Sequence, residues 1–245
     1  MEQTFYDKTP FDYGYSSKQE VIKNMNPLLK RLMEENSGKI FCDIGCGCGR
    51  NLLYASNFAK RLIGVDLSQI SLDLARDFVN SDKLELKKGN NLDIPLASDM
   101  ADLVISDGVC HHTGDTLRAF SECVRILRPG GKLYLAVYKK YRYYPFIYYT
   151  IGWLFRLIIR NRFGQLIIDR IFVNIHYLMY KMFKKQKLHR METKNIFYDY
   201  FITPVATFHS ISDVRYWCRK NYCNIVDYAI TSGNCHVFII AKNEN

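Results

Sequence analysis

The sequence lacks the features of exported and membrane-spanning proteins. Its first ten residues, MEQTFYDKTP, contain neither a basic segment nor an apolar run, so we expect no secretory signal. The eight cysteines are scattered, without the close spacing of a small disulfide framework. These absences predict a cytoplasmic protein, with a peripheral position at the inner membrane surface as an alternative.

Spacings typical of metal sites are also missing. Cys218, Cys223, Cys235 and His236 contain no C-x2-C pair, and the last two are neighbours on a predicted strand, where adjacent side chains face opposite ways. The segment 46–48 reads Cys-Gly-Cys inside a glycine-rich turn, which indicates packing rather than metal binding. We therefore expect no metal ion.

The positive charge is concentrated in one segment. The chain has a formal net charge of +10. Residues 138–196 contain thirteen Lys and Arg against two acids, Asp169 and Glu192, which gives about +11 there and leaves the rest close to neutral. A basic patch of this kind favours an anionic partner such as a membrane surface, a nucleic acid or a charged substrate.

Apolar segments alternate with helical patterns through residue 138. The predicted strands are 39–45, 61–67, 84–90, 101–108 and 132–138. The predicted helices are 18–36, which Pro27 could kink or split, and 49–58, 69–80 and 115–127. After residue 205 a helix over 210–221 precedes the strands 225–231 and 235–241, whose short glycine-containing connection predicts an antiparallel hairpin. This order predicts a doubly wound, Rossmann-like α/β sheet of seven strands.

The first chemical signal is the turn Asp43-Ile44-Gly45-Cys46-Gly47-Cys48-Gly49. It follows a strand and opens a helix, so its backbone can approach a ligand closely. Asp66 ends the next strand, where a carboxylate can accept hydrogen bonds from both ribose hydroxyls of a nucleoside cofactor. A dinucleotide fingerprint would need glycine at position 50, which is Arg50, and Asp43 favours a cofactor with a positive amino group over a pyrophosphate.

Five segments together resemble a known family. DIGCGCGRN, GVDLS, GNNLDIP, SDGVCHH and ILRPGGKLYLAVY look like the successive motifs of the class I S-adenosylmethionine-dependent methyltransferases, most closely the small-molecule group called type 11. The resemblance implies that S-adenosylmethionine is the cofactor. It implies that Asp43 and the turn from Gly45 to Gly49 hold the methionine part, and that Asp66 with Leu67 holds the ribose.

Three further cofactor contacts follow from the same resemblance. Asp107 and Gly108, after the fourth strand, would line the cleft between cofactor and acceptor. The position after the third strand, which in such enzymes often carries an Asp for the adenine amino group, holds Asn90 and Asn91 here. An amide oxygen can accept the same hydrogen bond.

Methyl transfer from a sulfonium mainly requires alignment, and it needs a base only if the acceptor holds its proton. His111 and His112 follow the fourth strand, and His209 lies where the chain returns to the sheet; each is a candidate base or a structural residue. Tyr138 ends the fifth strand and contacts substrate or simply packs there. A histidine base predicts a rate that falls below about pH 6.5.

The segment 139–205 sets this chain apart, because it is basic, aromatic and apolar. Its stretches 143–159 and 165–183 predict amphipathic or buried helices. Three interpretations stay open: a lid over the active site, a lid that also rests on an anionic membrane, and a nucleic-acid surface, which its many aliphatic residues disfavour. Tyr141, His209 and the N-terminal Tyr6, Phe11 and Tyr13 are candidate acceptor contacts.

The sequence thus predicts one domain in four parts. These are an N-terminal cap (1–38), a cofactor-binding core (39–138), a helical insertion or lid (139–205), and a last helix with the terminal hairpin (206–245). The expected activity is methyl transfer from S-adenosylmethionine to a small-molecule or lipid-like acceptor. A tRNA-modifying methyltransferase and a catalytically silent cofactor-binding partner protein are the alternatives, and the oligomeric state stays open.

Overall fold

Seven strands form one mixed sheet in the computed structural model, which describes residues 2–8, 10, 17–183, 190–229, 231 and 233–244. The strands are β1 (Ile40–Ile44), β2 (Arg61–Asp66), β3 (Leu84–Lys88), β4 (Ala101–Asp107), β5 (Leu127–Tyr138), β6 (Cys223–Ala229) and β7 (Cys235–Lys242). Their order is β3-β2-β1-β4-β5-β7-β6. The first five strands of this order are parallel, and β7 is antiparallel to both of its neighbours. The predicted Rossmann-like sheet with an antiparallel terminal hairpin is confirmed.

The order of the strands reverses at β1, which lies between β2 and β4. In open α/β sheets the loops on either side of such a switch point diverge and leave a cleft beyond the carboxyl ends of the strands. The glycine-rich turn follows β1, and Asp107 ends β4. The topology therefore brings these two motifs to the same cleft.

Helices cover both faces of the sheet and extend from one edge. They are α1 (Glu2–Lys8), α2 (Lys18–Asn24), α3 (Pro27–Glu35), α4 (Arg50–Ala55), α5 (Gln69–Val79), α6 (Thr116–Ile126), α7 (Tyr143–Ile147), α8 (Trp153–Ile158), α9 (Arg162–Ile167), α10 (Val173–Phe183), α11 (Arg190–Phe197) and α12 (Ile211–Lys220). The predicted helix over 18–36 is divided at Pro27. Asn26 caps the second half by accepting a hydrogen bond from Leu28 N–H at 2.9 Å, and Pro27 occupies the first turn, where its missing N–H costs nothing.

Alternate residues of the central strands enter two separate cores. In β5, Leu133, Leu135 and Val137 belong to one buried cluster, whereas Tyr134 and Ala136 belong to the other. This alternation is the period-two pattern of a strand buried on both faces. The side chains of α6 and α12 fill the first cluster, and those of α2 to α5 fill the second.

Strand β5 begins earlier than the sequence predicts. The segment 128–131, expected to lie outside the strand as a helix terminator, is a bulge within it: Leu127 pairs with Ala101, and Lys132 pairs with Leu103. Gly130 adopts φ +73°, which lets the extra residues loop out of the ladder. The strand is longer because the backbone of Leu127 still finds a partner on β4.

The insertion leaves and rejoins the sheet at one point. His209 N–H donates to Tyr138 O at 2.8 Å, and Lys140 N–H donates to His209 O at 3.0 Å. The predicted helical stretches are confirmed as α7–α8 and α9–α10, each pair joined by a π-helical turn, and α11 is an additional helix. The insertion has a small core of its own, formed by Phe155, Ile168, Val173, Phe197, Tyr198 and Ile202.

Candidate active site

The turn after β1 requires glycine at its first position. Gly45 adopts φ +74°, in the left-handed region that favours glycine. A Cβ atom there would lie 2.4 Å from Cγ1 of Val109, in the loop after β4. The backbone of the loop after β1 therefore packs directly against the Val109 side chain of the loop after β4. A residue with a side chain at position 45 would clash with Val109.

Asp66, at the end of β2, holds this turn in place. Its Oδ2 accepts a hydrogen bond from Gly47 N–H at 2.8 Å, and its Oδ1 accepts one from Ser68 N–H at 2.9 Å. Burial raises the pKa of the Asp66 carboxyl, and the backbone donors oppose that rise. Each carboxylate oxygen can accept a further hydrogen bond, so the group can still bind ligand hydroxyls.

Asp43 lies at the base of the turn, on β1, and is buried. Neither of its carboxylate oxygens has a hydrogen-bond partner of good geometry among the described residues, although the Asn51 side chain and the Arg50 guanidinium are close enough to favour the charged form. Burial and the nearby Asp107 carboxylate raise the pKa of Asp43 to about 8. A buried carboxyl without a partner is costly to ionise, so a positive ligand group close to it would be strongly favoured.

Arg50 contributes a contact that the sequence analysis missed. Its guanidinium donates to Oδ2 of Asp107 at 2.5 Å, and it thereby joins the start of α4 to the end of β4. From the sequence alone, Arg50 indicates only that the glycine of a dinucleotide fingerprint is missing. The two residues are 57 positions apart, and only the sheet order brings them together.

A cavity of about 790 Å³ lies at this edge of the sheet. The cofactor-binding candidates that line it are Gly45, Cys46, Gly47, Asp66, Leu67, Asn90, Asn91, Asp107 and Gly108. Asp43 and Gly49 are not on its wall: Asp43 lies beneath the turn, and Gly49 precedes α4 as its N-cap. Ligand pockets are typically about 300–1,000 Å³, so this one has room for a cofactor and part of a second molecule.

The other walls come from distant parts of the chain. The insertion contributes Tyr180, Ile196, Asp199 and Tyr200, and the terminal hairpin contributes residues that include Asn234 and Cys235. Tyr6, a predicted acceptor contact, lines the cavity from α1. The sheet edge, the insertion and the N-terminal helices therefore line the same cavity.

His112, Tyr138 and Asp199 meet on the cavity wall. The Tyr138 hydroxyl donates to Oδ2 of Asp199 at 3.0 Å, and Nε2 of His112 lies 3.7 Å from Oδ1 of the same carboxylate. Nδ1 of His112 lies 2.7 Å from Val205 O, which can only accept, so Nδ1 carries the proton in this contact. Burial raises the pKa values of Asp199 and Tyr138.

The other two candidate histidines lie away from the cavity. His111 is fully buried, with its ring centroid 3.8 Å from that of Tyr138, and burial lowers its pKa well below the usual range. His209 bonds through Nε2 to the hydroxyls of Thr116 and Thr207, at 3.1 and 2.9 Å, and burial lowers its pKa to about 4. Neither residue is placed to take a proton from a molecule in the cavity.

The remaining predicted acceptor and cofactor contacts are not all found on the cavity wall. Tyr141 is 81% exposed and is not on the cavity wall, because the chain has already turned outward beyond β5. Phe11 and Tyr13 lie outside the described residues. Oδ1 of Asn90 accepts a hydrogen bond from Leu92 N–H at 2.9 Å, so its amide oxygen is already engaged within its own loop.

Asp199 is the functional candidate that sequence reasoning overlooked. It belongs to the segment 197–201, FYDYF, where one acid stands among four aromatic residues near the end of a basic insertion. Because burying an unpaired carboxylate is costly, an acid in such apolar surroundings is expected either to be buried with a hydrogen-bonding partner or to face a ligand-binding site. The single acid among four aromatic residues was therefore the feature of the sequence that could have identified Asp199.

Comparison with known proteins agrees with this geometry. A family model described as a methyltransferase domain matches residues 42–135, a range that contains the glycine-rich turn, Asp66 and Asp107. A probable S-adenosylmethionine-dependent methyltransferase of Mycolicibacterium smegmatis is 28% identical over 118 residues, which are 48% of this chain and 45% of that protein. Residues 42–135 thus form a methyltransferase domain, similar to those of S-adenosylmethionine-dependent methyltransferases.

Two further similarities extend the comparison. A probable tRNA methyltransferase 9B of Bos taurus is 34% identical over 110 residues, 44% of this chain and 23% of that protein. Magnesium protoporphyrin IX methyltransferase of Synechocystis PCC 6803, solved with bound S-adenosylhomocysteine, superposes with a TM-score of 0.60 at 15% identity and covers 98% of both chains. The curated relatives are matched over less than half of their own length, and the structural similarity shows the fold.

The residues of the methyltransferase domain fit S-adenosylmethionine. Asp66 offers carboxylate oxygens for ribose hydroxyls, and the turn from Gly45 to Gly49 leaves backbone exposed to the cavity. The unpartnered Asp43 carboxyl beneath that turn suits a cofactor that carries an ammonium and a sulfonium.

Replacing Asp66 by Ala should weaken binding of S-adenosylhomocysteine. The loss of two hydrogen bonds to a charged acceptor costs about 2–4 kcal/mol, or about 30- to 900-fold in affinity. Titration calorimetry measures the change, and Asp77→Ala, which removes an exposed acid of α5, is the matched control. NAD should not bind either protein. Equal affinity in the Asp66 and Asp77 variants would exclude the ribose assignment.

Affinity for S-adenosylhomocysteine should fall as the pH drops from 8 to 6. The pKa of Asp43 is about 8, so an ammonium group bound close to this carboxyl would have to displace its proton at lower pH. The decrease should approach tenfold per pH unit, and calorimetry at pH 7 in buffers of different ionisation enthalpy should detect proton release. Asp43→Asn should flatten the profile. A pH-independent affinity with no proton release would place the amino group elsewhere.

Proposed function

We propose that the protein transfers the methyl group of S-adenosylmethionine to an uncharged, proton-bearing group of a small amphiphilic acceptor. The observation that carries this proposal is the meeting of His112, Tyr138 and Asp199 on the wall of the cavity that the glycine-rich turn also lines. The cofactor supplies an electrophilic methyl group on a good neutral leaving group. The protein has to align the acceptor and remove its proton.

The charges of the cavity favour an uncharged acceptor group. Among the described residues that line it, Arg50 is the one Lys or Arg, and its guanidinium is paired with Asp107. Asp66 and Asp199 add further negative charge. A carboxylate or phosphate at the reacting end of the acceptor would therefore meet no unpaired cation and would pay a desolvation cost.

His112 is the base in this proposal. With Nδ1–H directed to Val205 O, a neutral imidazole leaves Nε2 as a proton acceptor at the cavity wall. The Asp199 carboxylate stabilises the imidazolium that forms, and the Tyr138 hydroxyl orients that carboxylate. A hydroxyl, amine or activated carbon acceptor would each need this step.

The body of the acceptor would meet aromatic side chains. Tyr6, Phe78, Tyr138, Tyr180 and Tyr200 come from four separate parts of the chain to the same wall. Tyrosines combine an apolar ring with a polar end, which suits a molecule that has both kinds of surface. This composition supports an amphiphilic or lipid-like acceptor.

Transfer to tRNA is the second candidate, and the similarity to the probable tRNA methyltransferase 9B and the basic insertion favour it. A catalytically silent cofactor-binding protein is the third.

The three candidate functions differ in which molecule, if any, receives the methyl group. Incubation of the protein with methyl-labelled S-adenosylmethionine and a fractionated cell extract should place the label in the organic-soluble fraction. Label in RNA would establish the second candidate, and cofactor binding without label in any fraction would establish the third.

On the acceptor found in this way, His112→Asn should lower the rate about 100-fold or more, the usual contribution of a general base. The matched variant is His209→Asn, which changes another predicted base that lies away from the cavity, and it should keep most of the activity. Thermal unfolding of both variants controls for folding. If the two variants lost activity equally while remaining folded, the assignment of His112 would be wrong.

A further inference from the structure

The insertion exposes an unusual amount of apolar surface. Among the described residues, twenty large hydrophobic side chains are exposed, and fifteen of them lie between Tyr141 and Met191. Soluble proteins normally scatter such side chains singly over the surface. Their concentration in one segment therefore indicates a contact surface.

These side chains form a continuous stripe along α9 and α10. The exposed members are Phe163, Leu166, Ile171, Ile175, Leu178, Met179 and Met182. Apart from the adjacent pair Leu178 and Met179, successive members are three or four residues apart, with one step of five at the π-helical turn, which places them along one broad face of the helical stretch. Gly164, Ile168 and Val173 lie on the other face and are buried. The helical stretch is thus apolar on the side that faces solvent as well as on the side that packs.

Four cations lie within or next to this stripe along the chain. Arg160, Arg162, Arg170 and Lys181 are all exposed. The acid of the same helical stretch, Asp169, is held by Lys194 at 2.8 Å and by the Tyr198 hydroxyl at 2.8 Å, within the insertion. Of the basic run over 181–190, the lysines at 184, 185 and 187 lie outside the described residues.

The combination of an aliphatic stripe and a cationic border matches an anionic lipid surface. Basic residues bind the headgroups, and Leu, Ile, Met and Phe side chains enter the boundary with the acyl chains. A nucleic acid would need aromatic or polar contacts to bases, and this stripe is mainly aliphatic. None of the helices that the structure describes has the length and apolar character needed to cross a bilayer. Contact along the surface fits this geometry.

We propose that the exposed face of α9 and α10, with Phe163, Leu178 and Met182 inserted and Arg160, Arg162, Arg170 and Lys181 on the headgroups, docks on an anionic membrane. The same helix connects this face to the cavity, because Tyr180 lines the cavity while Met179 and Met182 are exposed. Docking would therefore place one wall of the cavity at the lipid surface. The inference deepens the proposed amphiphilic acceptor, but the docking itself rests on the exposed face alone.

Co-sedimentation of the full chain with vesicles tests the docking. Vesicles of phosphatidylcholine with phosphatidylglycerol should bind the protein at low salt, high salt should weaken binding, and pure phosphatidylcholine should bind poorly. Changing Arg160, Arg162, Arg170 and Lys181 to Gln should weaken binding about 600-fold, since each cation contributes about fivefold. The charge-matched control changes Lys60, Arg215, Arg219 and Lys220, all exposed and outside the insertion, to Gln and should bind normally.

A second pair of variants tests the apolar contact. Phe163→Ser, Leu178→Ser and Met182→Ser together should reduce binding at least tenfold, whereas Ile70→Ser, Tyr216→Ser and Val226→Ser, which remove exposed apolar groups elsewhere, should not. Circular dichroism confirms that each variant is folded.

Three results would overturn the docking proposal. They are no binding to anionic vesicles at low salt, RNA binding in place of vesicle binding through the same four cations, and lipid-free self-association that the apolar triple variant abolishes. The assay uses neither cofactor nor acceptor, so its failure would leave the proposed methyl transfer untouched. A failure of methyl transfer would likewise leave the docking result untouched.

Discussion

The hydrogen bond from Gly47 N–H to the Asp66 carboxylate connects the ends of the two strands on which the site is built. It fixes the turn after β1 against the end of β2, while Gly45 allows the loop after β4 to approach to van der Waals distance. The same carboxylate orders the start of the next helix through Ser68. One half-buried acid thus shapes the turn and keeps oxygen atoms that can accept hydrogen bonds from a ligand.

The insertion forms a second wall of the cavity that this turn lines. Because backbone hydrogen bonds join Tyr138 and His209, the insertion starts and ends at the carboxyl end of β5, directly beside the cleft. The contact of Tyr138 with Asp199 then links the sheet to the insertion at the level of side chains. A movement of the insertion would displace Asp199 from His112, so the position of the insertion would directly influence the proposed acid–base pair.

Local patterns were sufficient for most of the fold and for the sheet edge where the cavity lies. Short apolar or alternating runs located the parallel strands, and the turn from Gly45 with Asp66 after it predicted residues that line the cavity. The bulge in β5 was not predictable, because it depends on Ala101 pairing with Leu127 across the sheet. The residues of the proposed acceptor site were not predictable from local patterns either, since Asp199 and Tyr138, which form a hydrogen bond, are 61 residues apart in the sequence.

The adjacent His111 and His112 show the same limit. Nothing in the sequence distinguishes the two histidines. In the structure His111 is buried against the Tyr138 ring, whereas His112 lines the cavity. His112 is held there by a hydrogen bond from Nδ1 to the Val205 carbonyl. No local pattern contains that information.

The central claim is that one cavity holds the cofactor and the proposed base together. A crystal structure of the protein with S-adenosylhomocysteine tests it most directly. We expect both ribose hydroxyls on the Asp66 carboxylate and the thioether sulfur facing the part of the cavity that His112 and Asp199 line. A ribose bound away from Asp66, or a sulfur separated from His112 by protein, would contradict it.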